Sequence, residues 1–223
     1  MDNTNLITAF IQARMSSSRF PGKVLTPFLG RPLISHVIDA VQTVHLIDQT
    51  VVVTSDEPSD DPLVDYLDSI GCDVFRGPLD DVFGRFLAAM KRFPSDWVLR
   101  LCADSPLLSP NVLNEVCRHA MPDANWDIVT TRFAPKYPKG QNAELIRADA
   151  MKSIDAEHLT DHDREHVTPW FYRHRDQYRI ANARGVTIDL AGGDYTVDTP
   201  DDLVRLEAMR SSTGNPSQTD EAT

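Results

Sequence analysis

Strand-like and helix-like patterns alternate strictly between Leu6 and Thr131. Short apolar runs rich in β-forming residues predict strands at residues 6–12, 50–54, 72–75, 97–102 and 127–130. Apolar residues at helical spacing predict helices between them, at residues 33–43, 62–69, 82–92 and 110–121. Because parallel strands are joined by crossover helices, this alternation predicts an α/β fold with a doubly wound, mostly parallel sheet.

The remainder of the chain has a looser pattern. Beyond Thr131 we predict helices at residues 147–153 and 165–174 and a last strand at residues 195–197. The final helix is predicted to begin at Pro200, with Thr199 as its N-cap and Asp202 closing a capping box. With no internal repeat and no clear linker, residues 1–210 are predicted to form a single domain, followed by a disordered polar tail at residues 211–223.

The composition narrows the range of partners. The chain has 223 residues, a formal net charge of −11 and a pI near 5.0. Nucleic acids and membrane surfaces are polyanions that repel such a protein, so neither is expected as a partner. The three cysteines form no CxxC pair, and the sequence has neither a signal-peptide pattern nor a membrane-length apolar run, so we expect a cytoplasmic location.

A basic loop follows the first predicted strand. It contains Arg14, Arg19 and Lys23, together with three serines and a glycine, in a chain that is otherwise short of positive charge. Loops after parallel strands lie at the carboxyl edge of the sheet, where α/β proteins bind ligands. Cations and backbone N–H groups placed there predict a phosphate-binding loop, and a solvated basic loop is the alternative.

Two isolated carboxylates each follow a predicted strand. Two carboxylates facing phosphates are a common way to hold Mg²⁺, so Asp104 and Asp198 are candidate metal ligands. For Asp104 the alternative is a turn-forming residue. Arg100 lies inside the preceding strand, where a charge is costly, so we expect it to point at a ligand or to form a buried ion pair.

Three further groups of polar residues are candidates for substrate contacts. Asp61, which precedes a proline, is predicted to be a helix N-cap, which leaves Thr54, Ser55 and Asp56 at a strand tip to contact a base or ribose. The pair Glu165–His166 is either an acid and base or part of a plain helix with an aromatic face. Residues 140–144 lie in a Pro/Gly-rich loop, where they either hydrogen-bond a hydroxylated substrate, through Asn142 and Glu144, or form a polar surface turn.

Four motifs resemble those of the cytidylyltransferases of the CMP-sugar synthetase group, most closely the spore-coat polysaccharide biosynthesis type. Residues 12–23 (QARMSSSRFPGK) are similar to the family's QARxxSxRLPGK nucleotide loop, and residues 99–107 (LRLCADSPL) resemble its RLTGDCPL segment. Residues 164–169 match REHVTP, and residues 196–203 (TVDTPDDL) match TVDTPEDL. The motifs span nearly the whole chain.

The resemblance implies a Rossmann-like nucleotide-diphospho-sugar transferase fold, CTP as the donor, Mg²⁺ held by Asp104 and Asp198, and a homodimer. Residues 80–85 (DDVFGR) are similar to the family's EDVLxR segment, which lies near the base. Together the motifs and the candidates above imply catalytic roles for Arg14, Lys23 and Asp104. The implied substrate-binding residues are Ala13, Arg14, Ser18, Arg19, Lys23, Thr54, Ser55, Asp56, Asp80, Arg85, Arg100, Asn142, Glu144, Glu165 and His166.

The sequence departs from the family pattern at a few positions. Phe20 replaces the usual leucine, and Ala103 and Ser105 replace the common glycine and cysteine around Asp104. Asn142 stands where relatives often carry an aspartate, which points to an unusual acceptor.

The expected reaction is attack by an acceptor oxygen on the α-phosphorus of CTP, with release of pyrophosphate. The expected acceptor is an acidic or modified sugar for a surface polysaccharide, such as a nonulosonate or a Kdo-like acid. The alternatives are a phosphonate or polyol phosphate acceptor, UTP or GTP as the donor, and a non-catalytic nucleotide-binding relative.

Overall fold

The computed structural model describes residues 5–121, 123–133, 137–183 and 193–213. Nine strands are formed in these ranges: β1 (Ile7–Gln12), β2 (Pro27–Phe28), β3 (Arg31–Pro32), β4 (Gln49–Ser55), β5 (Asp73–Gly77), β6 (Trp97–Cys102), β7 (Ile128–Thr130), β8 (Glu144–Arg147) and β9 (Ile180–Asn182). The described α-helices are α1 (Leu33–Gln42), α2 (Asp61–Ser69), α3 (Val82–Arg92), α4 (Pro110–Cys117), α5 (Ala148–Lys152), α6 (Asp161–His166), α7 (Pro169–Arg173) and α8 (Pro200–Thr213).

Seven strands form the central sheet, in the order β5-β4-β1-β6-β8-β7-β9, while β2 and β3 pair separately. β5, β4, β1 and β6 run parallel to one another, and β7 and β9 are also parallel. β8 runs antiparallel to both of its neighbours, β6 and β7. The predicted α/β fold with a mostly parallel sheet is confirmed, and the antiparallel strand β8 is an addition.

The two faces of the sheet are covered by different helices. Alternate residues of β1 separate the two layers: Ile7, Ala9 and Ile11 are buried with apolar residues of α1, α2 and α4. Phe10 points to the opposite face and is buried with α3, α5 and α7. Side chains of α8 pack instead against the β2–β3 hairpin, in a third cluster around Phe28 and Val197.

Several predicted elements have different bounds in the structure. The predicted helix at residues 165–174 is wrong as one element, because Val167 adopts a φ of 68° and separates α6 from α7. The predicted strand at residues 195–197 is also wrong: Asp194 forms an isolated bridge with Lys139, and residues 195–197 are joined to their neighbours by single backbone hydrogen bonds from Tyr195 and Val197. Most of the predicted tail, residues 214–223, lies outside the described residues, and α8 runs to Thr213.

The helix termini give one confirmation and one correction. Thr199 and Asp202 form the predicted capping box, with the Thr199 N–H donating to the Asp202 carboxylate at 2.9 Å. Asp61 is the first residue of α2 rather than its N-cap, which is Asp60. In the described ranges, every helix is too short or too polar to cross a lipid bilayer.

Candidate active site

A cavity of about 350 Å³ opens at the carboxyl edge of β1 and β6. Its lining includes ten of the sequence-predicted site residues: Ala13, Arg14, Ser18, Arg19, Lys23, Arg100, Asp104, Glu165, His166 and Asp198. Parallel strands of an α/β sheet bind ligands at this edge. The structure therefore brings the basic loop, both candidate metal ligands and the Glu165–His166 pair into one space.

Backbone hydrogen bonds fix the shape of the basic loop. The Gly22 N–H donates to the Met15 carbonyl at 2.8 Å, which closes the loop, and Gly22 has a φ of 75°, which glycine adopts without strain. The Met15 N–H donates to the carboxylate of Asp60 at 2.7 Å. Lys23 follows at the start of a short 3₁₀ turn. The loop thus holds its cations at fixed positions over the cavity.

Lys23 joins the two carboxylates. Its Nζ lies 3.4 Å from the Oδ2 of Asp104 and 3.2 Å from the Oδ1 of Asp198, and it donates to the Val197 carbonyl at 2.8 Å. The lysine side chain is only 12% exposed, so these contacts are partly shielded from water. Arg19 lies 3.1 Å from the same Asp198 oxygen.

Neighbouring elements position the two aspartates. Asp104 lies two residues after the end of β6, and its carbonyl accepts the Val197 N–H at 2.8 Å. The Asp198 N–H donates to Asp202 at 3.1 Å, so the capping box of α8 also orients Asp198. The two ends of the site, far apart in sequence, are therefore joined by backbone contacts as well as by Lys23.

Arg100 forms the buried ion pair that the sequence left as one of two alternatives. Its Nη1 lies 2.8 Å from the Oε2 of Glu144, and its Nη2 donates to the Gln12 side chain at 3.1 Å. Thr168 and Tyr172 donate to the Glu144 carboxylate at 3.1 and 2.5 Å. Glu144 is only 5% exposed and is held by these three side chains, but it also lines a neighbouring cavity of about 510 Å³, so a hydrogen bond from Glu144 to a substrate stays a prediction.

The strand tip at residues 54–56 differs from its prediction. Thr54 and Ser55 are buried, and their hydroxyls donate to the Asp60 carboxylate at 2.8 and 2.5 Å. Burial opposes ionisation of Asp60, but hydrogen bonds from Ser55, Met15 and Thr54 outweigh it and lower the pKa of this carboxyl. The two hydroxyls are therefore structural in this arrangement rather than free for a base, while Asp56 remains exposed.

Asp80 and Arg85 lie outside the 350 Å³ cavity. Asp80 is exposed, whereas Arg85 is 1% exposed and donates to the Pro78 carbonyl at 2.8 Å. Burial lowers the pKa of Arg85. Arg85 supports the turn between β5 and α3, so a contact with the base from its side chain stays a prediction.

The Glu165–His166 pair reaches the cavity from the end of α6. Glu165 lies 3.6 Å from Arg14, and the His166 ring contacts that of His162, with 4.5 Å between centroids. His166 is exposed to solvent, but partial desolvation of its ring at the cavity wall lowers its pKa, which favours the neutral form near pH 7.

Comparison with known proteins gives the family. A model of the cytidylyltransferase family matches residues 8–212, which is nearly the whole chain. The chain belongs to the cytidylyltransferase family. It is 30% identical to the spore coat polysaccharide biosynthesis protein SpsF of Bacillus subtilis, over 94% of this chain and 88% of that protein.

Solved structures agree with this cytidylyltransferase fold. A cytidylyltransferase from Leptospira borgpetersenii superposes with a TM-score of 0.81 at 22% identity, covering 96% of this chain and 99% of the other. A CMP:2-keto-3-deoxy-manno-octonic acid synthetase, solved with CTP, superposes with a TM-score of 0.71 at 16% identity, covering 93% and 99% of the two chains. The likeness confirms the fold, while the match to the cytidylyltransferase family model indicates a nucleotidyltransferase.

The chemistry of the site in this cytidylyltransferase fits a hard divalent cation. Asp104 and Asp198 supply carboxylate oxygens, which Mg²⁺ prefers, and both face the cavity. Within the described ranges, no three His, Cys, Asp or Glu side chains form a cluster able to hold a metal by themselves. Two carboxylates completed by phosphate oxygens and water match the usual way in which proteins bind Mg²⁺.

Sequence reasoning missed two cations near the site. Lys139 lies 2.7 Å from Asp194 and 3.7 Å from the Oδ2 of Asp198, and it lines a neighbouring cavity of about 510 Å³ together with Asn142. Arg132 lines the same cavity. Both lie in the loosely patterned part of the chain, and only the short Lys-Gly pair at Lys139 hinted at a fixed loop.

Proposed function

We propose that this cytidylyltransferase uses CTP to activate an acidic or modified sugar as its CMP conjugate, with release of pyrophosphate, for surface polysaccharide synthesis. The observation that carries the proposal is the bridge that Lys23 forms between Asp104 and Asp198 beneath a loop of cations. The B. subtilis relative is named for spore coat polysaccharide biosynthesis, and a structural neighbour was solved with CTP. Both names support a sugar acceptor and CTP as the donor.

The chain's own residues account for the steps of the reaction. Arg14, Arg19 and Lys23 surround the cavity and would neutralise the triphosphate, so that negative charge building on the leaving pyrophosphate is stabilised. An acceptor oxygen attacks the α-phosphorus, and the bond to the β-phosphate oxygen breaks. His166 lines the cavity, and partial desolvation lowers its pKa, so its neutral ring would take the proton of the attacking hydroxyl.

We propose Mg²⁺ as the metal, held by Asp104 and Asp198. When bound there, it would neutralise charge on the α-phosphate and favour ionisation of the acceptor hydroxyl. Lys23 already lies between the two carboxylates, so it is placed to remain beside the phosphates as the carboxylates take up the cation.

Thermal melting with CTP, UTP, ATP and GTP, each with and without Mg²⁺, tests which nucleotide the protein binds. A ligand at a hundredfold its Kd adds about 2.7 kcal/mol to stability, which gives a clear shift in Tm. The proposal expects a shift with CTP that Mg²⁺ enlarges, followed by pyrophosphate release with a sugar acid. Larger shifts with UTP or GTP would favour another donor.

The same measurements also test two alternative functions. Turnover of a phosphonate or polyol phosphate, and not of sugar acids, would change the acceptor class. Nucleotide binding without pyrophosphate release across the whole acceptor panel would favour a non-catalytic relative. The presence in one cavity of all three predicted cations and both carboxylates favours an enzyme.

We also propose that the protein acts as a homodimer in the cytoplasm. Family resemblance supports the dimer, and the three free cysteines are typical of a reducing compartment. Sedimentation of the purified protein and fractionation of cells test the two statements separately.

A further inference from the structure

Asp60 is a buried acid at the start of helix α2 that does not cap this helix. It is 0% exposed and occupies the N-cap position, yet within the described part of the chain its carboxylate accepts no capping hydrogen bond from α2. An aspartate at an N-cap usually accepts an N–H from the first turn. A buried carboxylate is costly unless it is well hydrogen-bonded, so the partners that Asp60 has instead indicate its role.

The two carboxylate oxygens of Asp60 hold two different elements. Its Oδ2 accepts the hydroxyls of Thr54 and Ser55 and the Ser55 N–H, at 2.8, 2.5 and 3.0 Å, which fixes it to the end of β4. Its Oδ1 accepts the Met15 N–H at 2.7 Å and so reaches the basic loop. Asp60 therefore ties the loop that follows β1 to the end of β4, the strand paired with β1.

Met15 is the residue at which the backbone of the basic loop is held. Its carbonyl accepts the N–H groups of Ser17 and Gly22, at 2.9 and 2.8 Å. Among the described residues, the bond from its N–H to Asp60 is the one backbone hydrogen bond that joins residues 14–19 to another element. The backbone position of this segment therefore depends on where Asp60 holds Met15.

The two arginines of this segment have only exposed contacts of their own. Arg14 lies 3.6 Å from Glu165, and Arg19 lies 3.1 Å from Asp198, but the two arginine side chains are 39% and 65% exposed. Exposed ion pairs contribute little to holding a side chain in place. Both arginines line the 350 Å³ cavity, so the backbone beneath them has to set their positions there.

We propose that Asp60 is a positioning residue of the reaction, which places Arg14 and Arg19 for the outer phosphates of CTP by holding the Met15 N–H. The inference rests on the proposed function, and it adds a residue that does not line the cavity to those on which CTP binding depends. A loop that is fixed in advance needs no further ordering when the nucleotide binds. Loss of Asp60 should therefore weaken the binding of a triphosphate more than that of a monophosphate.

Asp60→Asn is the first test variant, because an amide keeps the size of the side chain and offers only one acceptor oxygen. Whichever way the amide lies, its NH₂ group faces either the Met15 N–H or the Ser55 N–H, and that contact is lost. Leu67→Ala is the control. Leu67 is buried on the same helix and does not line the cavity, so this variant destabilises α2 while the Asp60 carboxylate stays in place.

A second variant removes the N–H donor and keeps Asp60. The peptide bond before Met15 is replaced by an ester, by synthesising residues 1–71 with the α-hydroxy analogue of methionine and joining them to residues 72–223 at Cys72. The bonds from Thr54 and Ser55 to Asp60 remain, so this variant is informative even where Asp60→Asn fails to fold. The all-amide protein joined in the same way is its control.

Calorimetric titration in Mg²⁺ compares CMP with α,β-methylene CTP, an analogue that cannot transfer CMP. Asp60→Asn and the ester variant should each weaken binding of the analogue by about tenfold, the order expected for one hydrogen bond to a charged group. Both should leave CMP binding nearly unchanged. Leu67→Ala and the all-amide ligated protein should bind both nucleotides as the unaltered protein does.

Several outcomes would overturn the inference. They are full affinity for the analogue in either folded variant, an equal loss of affinity for CMP and the analogue, and the same loss in Leu67→Ala. Failure of the unaltered protein to bind the analogue would instead contradict the proposed function, so the two failures are distinguishable.

Discussion

Lys23 and Asp198 are 175 positions apart in sequence, and the Lys23 Nζ lies 3.2 Å from the Asp198 Oδ1. The same amine lies 3.4 Å from Asp104, so one cation serves both carboxylates. This contact joins the loop after β1 to the start of α8. Because Lys23 contacts both carboxylates, its loss should have the most direct effect on catalysis.

Lys23→Ala should lower kcat by at least about a hundredfold, because a preorganised cation at the pyrophosphate is lost. Pyrophosphate release under saturating CTP and acceptor measures the effect. Lys91→Ala, at the exposed end of α3, is the matched control and should keep full activity. An unchanged kcat in folded Lys23→Ala would remove this lysine from the mechanism.

Asp104→Asn and Asp198→Asn should each raise the Mg²⁺ concentration for half-maximal activity by at least about tenfold, since each removes one charged oxygen ligand. Chelation with EDTA should abolish turnover of the unaltered enzyme, and added Mg²⁺ should restore it. Asp201→Asn, three residues along but exposed on the first turn of α8, provides the control. If Asp104→Asn and Asp198→Asn keep the original Mg²⁺ dependence, the metal is held elsewhere.

The sequence predicted the parallel part of the sheet, because strands β1, β4, β5 and β6 are apolar runs separated by amphipathic helices. β8 and β9 have only four and three residues and lie beyond Thr131, where no regular alternation of strands and helices helps to locate them. For this reason strand β8 was not predicted, and its last residue, Arg147, was assigned to the following helix.

Long-range polar partners were the other feature that the sequence did not reveal. Ser-Asp-Asp-Pro offers two aspartates for one helix start, and capping preference alone does not say that Asp60 turns inward to Thr54 and Ser55. Glu144 likewise becomes structural only because Arg100 lies opposite it on the neighbouring strand. Arg132, a single cation in an irregular segment, had no motif to mark it.

The Glu144–Arg100 pair leads to a stability prediction. Glu144→Ala leaves Arg100 buried without its acid, which should reduce the free energy of unfolding by about 3–5 kcal/mol. Urea denaturation measures this loss. The exposed pair of Lys152 with Asp149 gives the comparison, and Asp149→Ala should leave the unfolding midpoint almost unchanged. Similar midpoints for both variants would mean that Glu144 is not a structural residue.

Asp163 makes the free energy of unfolding depend on pH, and the direction of this dependence follows from its pKa. Burial alone would raise the pKa of this carboxyl, but hydrogen bonds from Arg173 and Thr160 outweigh it and lower the pKa from 3.8 to about 2. A carboxyl with a depressed folded-state pKa stabilises the fold above its unfolded pKa, and this stability is lost as pH falls towards about 2. The gap in unfolding free energy between the unaltered protein and Asp163→Asn should therefore be constant above about pH 5 and shrink below it. A gap that stays constant down to pH 2 would contradict the ion pair.

Gly140 fixes the loop that carries Lys139 and Asn142. Its φ is 92°, and an added Cβ would lie 2.7 Å from the carbonyl carbon of Tyr195. Gly30 is the matched control, because it has a φ of 80° but nothing within 4 Å of an added Cβ. Gly30→Ala should lower the free energy of unfolding only by the backbone strain, about 1–2 kcal/mol, whereas Gly140→Ala should lower it by about 1–3 kcal/mol more because of the clash.

The clash should also push Lys139 away from Asp194 and Asp198. Gly140→Ala should therefore raise the KM for substrates, while Gly30→Ala leaves it unchanged. Equal stabilities and equal KM values in the two variants would show that the contact with Tyr195 does not hold this side of the site.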